Sequence, residues 1–177
     1  YVIWSFNSAK VRFIQQSPAS SFIQPNLGEE GEFCYSRCSN PTRYAYETAL
    51  AELEGGIYAT ATASGMAATA LILELLPKDS HVLVMKGVYG GTYRLFERLR
   101  KQTSGTTFSY VDLNDLASVE RHIQENTGLI WIETPTNPLL ELVDIEAVCQ
   151  VAKSRGIMSC GWCCQLTDLV YDGVFEV

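Results

Sequence analysis

The stretch Leu129-Ile-Trp-Ile-Glu-Thr-Pro-Thr-Asn-Pro138, continuing as Leu-Leu-Glu-Leu-Val-Asp-Ile145, decides the fold. Residues 129–132 are apolar without polar alternation, the pattern of a strand buried on both faces. The run stops in Glu133, and two prolines then flank Asn137. A bare turn needs one proline or one Asn. A carboxylate, two threonines, an Asn and two prolines exceed what chain reversal requires. Glu133 is a candidate acceptor for backbone N–H groups, and Asp144 stands where the N-cap of the next helix belongs.

The surrounding chain alternates in the same style. Upstream, Pro41 opens a helix capped by Asn40, with Ala45, Ala49, Leu50 and Leu53 on one face and Gly55-Gly56 as its stop. Ile57 to Ala61 reads as a short strand. Ser64 caps a helix running through Ala67 to Leu76, ahead of Pro77. His81 to Met85 reads as a buried strand, and Thr92 to Thr103 as a helix with Leu95, Phe96 and Leu99 at helical spacing. Thr106 to Val111 is a strand, and a helix starts near Asp115 with Leu116, Val119 and Ile123. Beyond the opening stretch, Ile145, Val148, Cys149 and Ala152 mark a helix ended by Gly156, and another strand begins at Ile157 to Ser159. Strands and helices joined by short links predict an α/β fold, a three-layer, mainly parallel sheet with helices on both faces. Gln15 to Gly31 is rich in Ser, Pro, Gly and Gln and reads as an arm. The expected division is an arm over 1–34, a ligand-binding domain over 35–159 and a divergent tail over 160–177.

In such sheets ligands bind beyond the carboxyl ends of the strands. Three unusual stretches fall there: Ala63-Ser64-Gly65-Met66, Val88-Tyr89-Gly90-Gly91-Thr92, and Glu133 to Pro138. The first places small residues at a helix start, where free amides and the helix dipole favour an anion; on spacing alone the preferred reading is a plain serine cap followed by close-packing alanines. In the second, Tyr89 offers a ring for a flat ligand and Arg94 a fork for a carboxylate or phosphate, or else the stretch is a turn with a surface arginine. Tyr35, Arg37 and Arg43 surround a turn that reads either as a phosphate grip or as a solvated loop. The Asn137 amide can donate to a ligand oxygen.

The net charge of −7 over 177 residues argues against nucleic acid and anionic membrane surfaces as partners. No apolar stretch reaches the roughly 20 residues of a membrane span. The first residues do not read as a secretory signal, and Tyr1 in place of Met suggests a piece of something longer. The six cysteines lack the even spacing of a disulfide scaffold, which favours a reducing compartment. Cys160 and Cys163 form a Cys-x-x-Cys pair, open to a redox reading but more simply a chance spacing in a reduced protein. Cys34, Cys38, Cys160 and Cys163 are zinc-ligand types, but nothing in the sequence brings the two pairs together, and no metal is expected. His81 and His122 read as a strand-edge and a helix-surface residue.

Taken together, Tyr35-Ser-Arg37, Asn40-Pro-Thr-Arg43, Ala63-Ser-Gly-Met66, Tyr89-Gly-Gly-Thr-Tyr-Arg94 and Glu133-Thr-Pro-Thr-Asn-Pro138 give the chain a specific likeness. It resembles the pyridoxal 5′-phosphate (PLP) enzymes of cysteine and methionine metabolism: cystathionine gamma-synthase, cystathionine beta-lyase, cystathionine gamma-lyase and methionine gamma-lyase. The likeness spans roughly residues 18–159. It implies the large domain of PLP fold type I, here incomplete. It assigns Gly65 and Met66 to the cofactor phosphate through their backbone N–H groups, places Ser64 among the cofactor-binding residues, and gives Tyr35 and Arg37 to the phosphate of a neighbouring subunit's cofactor and Asn137 to the cofactor's phenolic oxygen. Tyr89 would stack on the ring and assist proton transfer, making it the catalytic candidate. Arg94 matches a substrate-binding position. A small-molecule amino-acid substrate, a homo-oligomer (a homotetramer built as a dimer of dimers) and a cytoplasmic location follow from the same likeness.

The likeness ends abruptly. After Ser159 the family continues into Asp-Asn-Thr, with the Asp on the ring nitrogen, whereas this chain reads Cys160-Gly-Trp-Cys-Cys164. The family's lysine lies further on, in a Ser-x-Thr-Lys pattern. None of Lys10, Lys78, Lys86, Lys101 or Lys153 stands in that pattern. The expectation is therefore a truncated or frame-shifted member, inactive alone, with exposed apolar faces and a tendency to aggregate.

Overall fold

A computed structural model describes residues 16–162 and 175–176. The chain divides into two compact units, residues 1–62 and 63–177.

In the first unit, α1 (Pro41–Glu54) begins as expected. Asn40 Oδ1 accepts the amides of Thr42 (2.8 Å) and Arg43 (3.3 Å), and Gly55 ends the helix in the left-handed region at φ 68°. The expected strand at 57–61 does not form. Among the described residues no strand pairs with it, Ile57 and Tyr58 stand 86% and 90% exposed, and the Ala61 amide bonds to the Glu47 side chain at 2.8 Å instead. β-branched and aromatic character is not enough for a strand without a pairing edge.

The second unit opens with α2 (Gly65–Leu73), capped by Ser64. It ends three residues before the predicted Leu76, because Glu74, Leu75 and Leu76 tighten into i→i+3 bonds. Then follow β1 (His81–Met85), α3 (Gly90–Arg94), a π-helical stretch (Leu95–Arg100), a last turn α4 (Lys101–Thr103), β2 (Thr107–Val111), α5 (Leu116–His122), β3 (Thr127–Glu133), α6 (Ile145–Ser154), β4 (Met158–Trp162) and β5 (Phe175–Glu176). The sheet order is β2-β1-β3-β4-β5; the first four strands are parallel and β5 is antiparallel.

Alternation along the strands builds two cores. Leu83, Met85, Ile130 and Ile132 face Val119 of α5 and Val148 and Ala152 of α6. Val82, Val84, Leu129 and Trp131 face Ile72 and Leu73 of α2 and Phe96 of the π stretch. Both faces are covered, which is why β1 and the 129–132 run read as unbroken apolar segments. Each fully buried aliphatic side chain contributes about 1.5–3 kcal/mol. Phe96 stacks on Phe108 at 4.7 Å and meets Trp131 edge-on at 5.5 Å. The wider π turns rotate Leu99 away from Phe96, so it is half exposed despite its helical spacing.

His81 is not an edge residue. β1 lies between β2 and β3, and the ring is fully buried, with Nδ1 2.7 Å from Thr127 Oγ1 and Nε2 2.9 Å from Ser109 Oγ. Burial, and secondarily His122, hold its pKa below the ordinary 6.5. A depressed histidine stabilises the fold above its unfolded pKa, and that contribution is lost as pH falls. Relative to His81→Gln, the wild-type chain is expected to lose stability below pH 6.5 with an added slope of up to about 1.4 kcal/mol per pH unit, read from urea unfolding of both proteins across that range.

Candidate functional site

The strand order places a crevice between β1 and β3. From β1 the chain leaves toward β2 on one side, then crosses to β3 on the other, so adjacent loops after β1 and β3 diverge. Such a switch point is where parallel sheets bind ligands. The loop after β1 carries Tyr89, and the loop after β3 carries 134–138.

Glu133 joins the two. Its side chain is fully buried, and Oε1 accepts the Tyr89 amide at 2.9 Å. This is the backbone-acceptor role expected from the sequence. Oε2 is buried with no hydrogen-bond partner among the described residues. Burial raises the Glu133 pKa above the ordinary value, while the Tyr89 amide pulls it back in part.

The Thr-Pro-Thr-Asn-Pro loop is built by its threonines. Thr136 is buried, its Oγ1 accepts the Glu141 amide at 3.0 Å and its own amide bonds back to the Glu141 carbonyl at 3.1 Å. Thr134 Oγ1 accepts the Val143 amide at 3.2 Å. Both proline bonds, Thr134–Pro135 and Asn137–Pro138, are cis. Asp144 caps α6 through the Ala147 amide at 3.0 Å.

At the start of α2, Ser64 spends its Oγ (3.2 Å) and carbonyl (3.0 Å) on the Ala67 amide. The first-turn amides of Gly65 and Met66 are left for an outside acceptor. Close approach dictates the glycines here. A methyl group at Gly91 would collide with Tyr89 Cε1 and stand 3.1 Å from Met66 Sδ, so the Tyr89 ring, Met66 and Gly91 share one patch. A methyl at Gly65 would stand 2.7 Å from Cη2 and Cζ2 of the Trp162 ring. Trp162 ends β4 beside Glu133, its carbonyl accepts the Thr134 amide at 2.9 Å, and its ring lies 6.3 Å from that of Trp131, tilted by 23°.

The structure thus brings Ser64, Gly65, Met66 and Tyr89 to one end of the sheet. Arg94 is exposed and folds back along its own helix, with Nη1 3.3 Å from where a Gly90 methyl would stand. Asn137 is exposed on its loop. Tyr35 and Arg37 lie in the first unit and pair with each other: Arg37 Nη2 donates to Tyr35 Oη at 2.5 Å and the guanidinium stands 5.0 Å from the ring centroid. Arg43 there bonds the Cys38 carbonyl at 2.6 Å. Glu133 as a buried loop anchor and Trp162 as a wall against Gly65 complete the site; the latter contact joins residues too distant in sequence to be read from it.

Cys160 is buried and its thiol is pushed up to about 12 by desolvation, the opposite of what an attacking thiolate needs. Its expected partner Cys163 lies outside the described residues. Among the described residues no group of three or more His, Cys, Asp or Glu side chains is placed to hold a metal ion. No helix among them is long and apolar enough to cross a membrane.

Residues 6–163 match the family model described as Cys/Met metabolism PLP-dependent enzyme. The chain is 47% identical over 141 residues to a cystathionine beta-lyase of Coxiella burnetii, covering 80% of this chain and 36% of that protein. It is 44% identical over 138 residues to a probable cystathionine gamma-synthase of Herpetosiphon aurantiacus, covering 78% of this chain and 43% of that protein. Among solved structures, the cystathionine gamma-lyase of Lactobacillus plantarum complexed with L-serine superposes with a TM-score of 0.75 at 43% identity, over 80% of this chain and 36% of that one. The chain therefore spans between about a third and a half of the length of these relatives.

Two outcomes test the geometry. Gly65→Ala is expected to cost about 1–3 kcal/mol from overpacking against the indole. The cost should vanish in the Trp162→Ala background, as measured by chemical denaturation of the four chains of the double-mutant cycle. Glu133, with its raised pKa, stabilises the fold below the ordinary 4.5 and loses that contribution as pH rises through its folded value. The stability of Glu133→Gln relative to wild type should accordingly increase between pH 4 and pH 8.

Proposed function

This chain belongs to the Cys/Met metabolism PLP-dependent enzyme family, and from that premise we propose that it is the phosphate-binding part of a carbon–sulfur lyase or transferase acting on sulfur amino acids or activated homoserine. The observation that carries the reading is the α2 start, where Ser64 caps the Ala67 amide, the Gly65 and Met66 amides precede it, and the Met66 side chain shares a patch with the Tyr89 ring. Two amides at a helix start suit a phosphate dianion. When bound, pyridoxal phosphate supplies an electron sink for the carbon that loses its hydrogen. The donor set fits the phosphate end of that cofactor. The ring end fits less well, because Trp162 stands against Gly65.

On its own, the chain is proposed to be catalytically silent. A lysine that bonds the cofactor must first present a neutral amine. Lys86 is held charged by Asp112 at 2.7 Å and Lys101 by Glu97 at 2.9 Å, and both have pKa values raised by those carboxylates. Neither these nor Lys10, Lys78 or Lys153 stands in a Ser-x-Thr-Lys context.

A second reading is supported by the exposed apolar side chains of the first unit, among them Ile23, Leu27, Ile57 and Tyr58. In it the chain is a non-catalytic, partner-binding piece that associates with full-length subunits.

Treatment of the whole chain with pyridoxal phosphate and borohydride, followed by peptide mapping, is expected to show no single preferred lysine and no turnover of cystathionine. One lysine labelled stoichiometrically, together with turnover, would refute catalytic silence. Co-purification with a full-length relative supports the second reading, and a chain that never co-purifies removes it.

A further inference from the structure

Building on the cofactor-phosphate reading, we propose that Trp162 takes the room beside Gly65 into which a pyridine ring extends from a phosphate held at the α2 amides. This chain then binds phosphate but admits the ring of a pyridoxine phosphate poorly.

Three observations converge on the indole. Its edge leaves no room for even a methyl group on Gly65, the first residue of α2. Its backbone is fixed by the sheet, where the Trp162 carbonyl accepts the Thr134 amide and the residue pairs with Glu133, and its ring stacks on Trp131. A swing away from Gly65 gives up that stacking. The Tyr89 ring lies over Gly91, where the Met66 thioether of the first turn of α2 also stands, so aromatic side chains from β4 and from the loop after β1 both reach residues of that turn.

The chemistry beneath this cover is mismatched. Glu133 Oε2 is buried without a hydrogen-bond partner among the described residues, and Trp131 Nε1 is buried and unpartnered there as well. Native proteins leave few such atoms, and each marks ground that a polar group suits. Trp131 and Glu133 are two residues apart and so share one face of β3, the face against which Trp162 packs. These two unpartnered polar atoms on the face that Trp162 packs against suit a smaller polar ligand edge better than an indole.

The probes are inorganic phosphate and pyridoxine 5′-phosphate, which lacks the aldehyde and so cannot label the lysines. Binding to the full chain is read by equilibrium dialysis for wild type, Trp162→Ala and Trp162→Val, the valine keeping strand propensity should the alanine variant fail to fold. The expected result is pyridoxine phosphate affinity raised at least tenfold in a folded variant, with inorganic phosphate changed less than threefold. Unchanged pyridoxine phosphate affinity alongside intact phosphate binding overturns the role of Trp162 and leaves the phosphate site standing. An equal rise for both ligands also overturns it, because the indole would then obstruct the amides and not the ring. No binding of either ligand to any of the three chains removes the phosphate reading itself.

Discussion

A single buried carboxyl organises the carboxyl edge of this sheet. Glu133 ends β3 with no solvent contact and gives one oxygen to the Tyr89 amide on the neighbouring loop. Burial of a carboxyl is costly unless it is bonded or neutral. Here the bond fixes where the loop after β1 turns into α3, and so where the Tyr89 ring lies over Gly91 and beside Met66. The same residue pairs with Trp162 across the sheet. Tyr89 and Trp162 are therefore both tied through their backbones to one strand end. The threonines that follow continue the work, binding the Glu141 and Val143 backbone so that the loop closes on itself.

Much of this was legible in the residues. Strands buried on both faces betray themselves as unbroken apolar runs, and β1 and β3 formed where His81–Met85 and Leu129–Ile132 predicted. Caps are local chemistry, so Asn40, Ser64, Asp115 and Asp144 each sit at the helix start their side chains suit. What failed depended on distant partners. Ile57 to Ala61 has strand composition but no ladder to join. His81 looked like an edge residue because nothing in its neighbours shows that Thr127 and Ser109 would take both ring nitrogens. The Gly65–Trp162 contact brings together two helix and strand ends that no periodicity links. Glu133 lay between these cases: its acceptor role was readable, its specific donor was not.

The cationic side chains distribute in a way that bears on the chemistry. Lys86, directly after β1, is tied to Asp112 beyond β2, and Arg100 reaches from the π stretch to Glu74 and the Ala70 carbonyl at the end of α2. These pairs serve the scaffold and leave the α2 start to neutral donors. A phosphate there would be met by backbone amides and the helix dipole, a geometry that does not depend on side-chain rotamers.

The π-helical stretch accommodates one residue more per turn than an α-helix does. Leu95–Arg100 is therefore the segment of this unit best able to lose a single amino acid by rewinding, without displacing the strands on either side. The same deletion within α6 would turn Val148 and Ala152 off the core they fill together. Length variation among natural versions of this sequence would thus be absorbed at the π stretch, where the helix already carries slack.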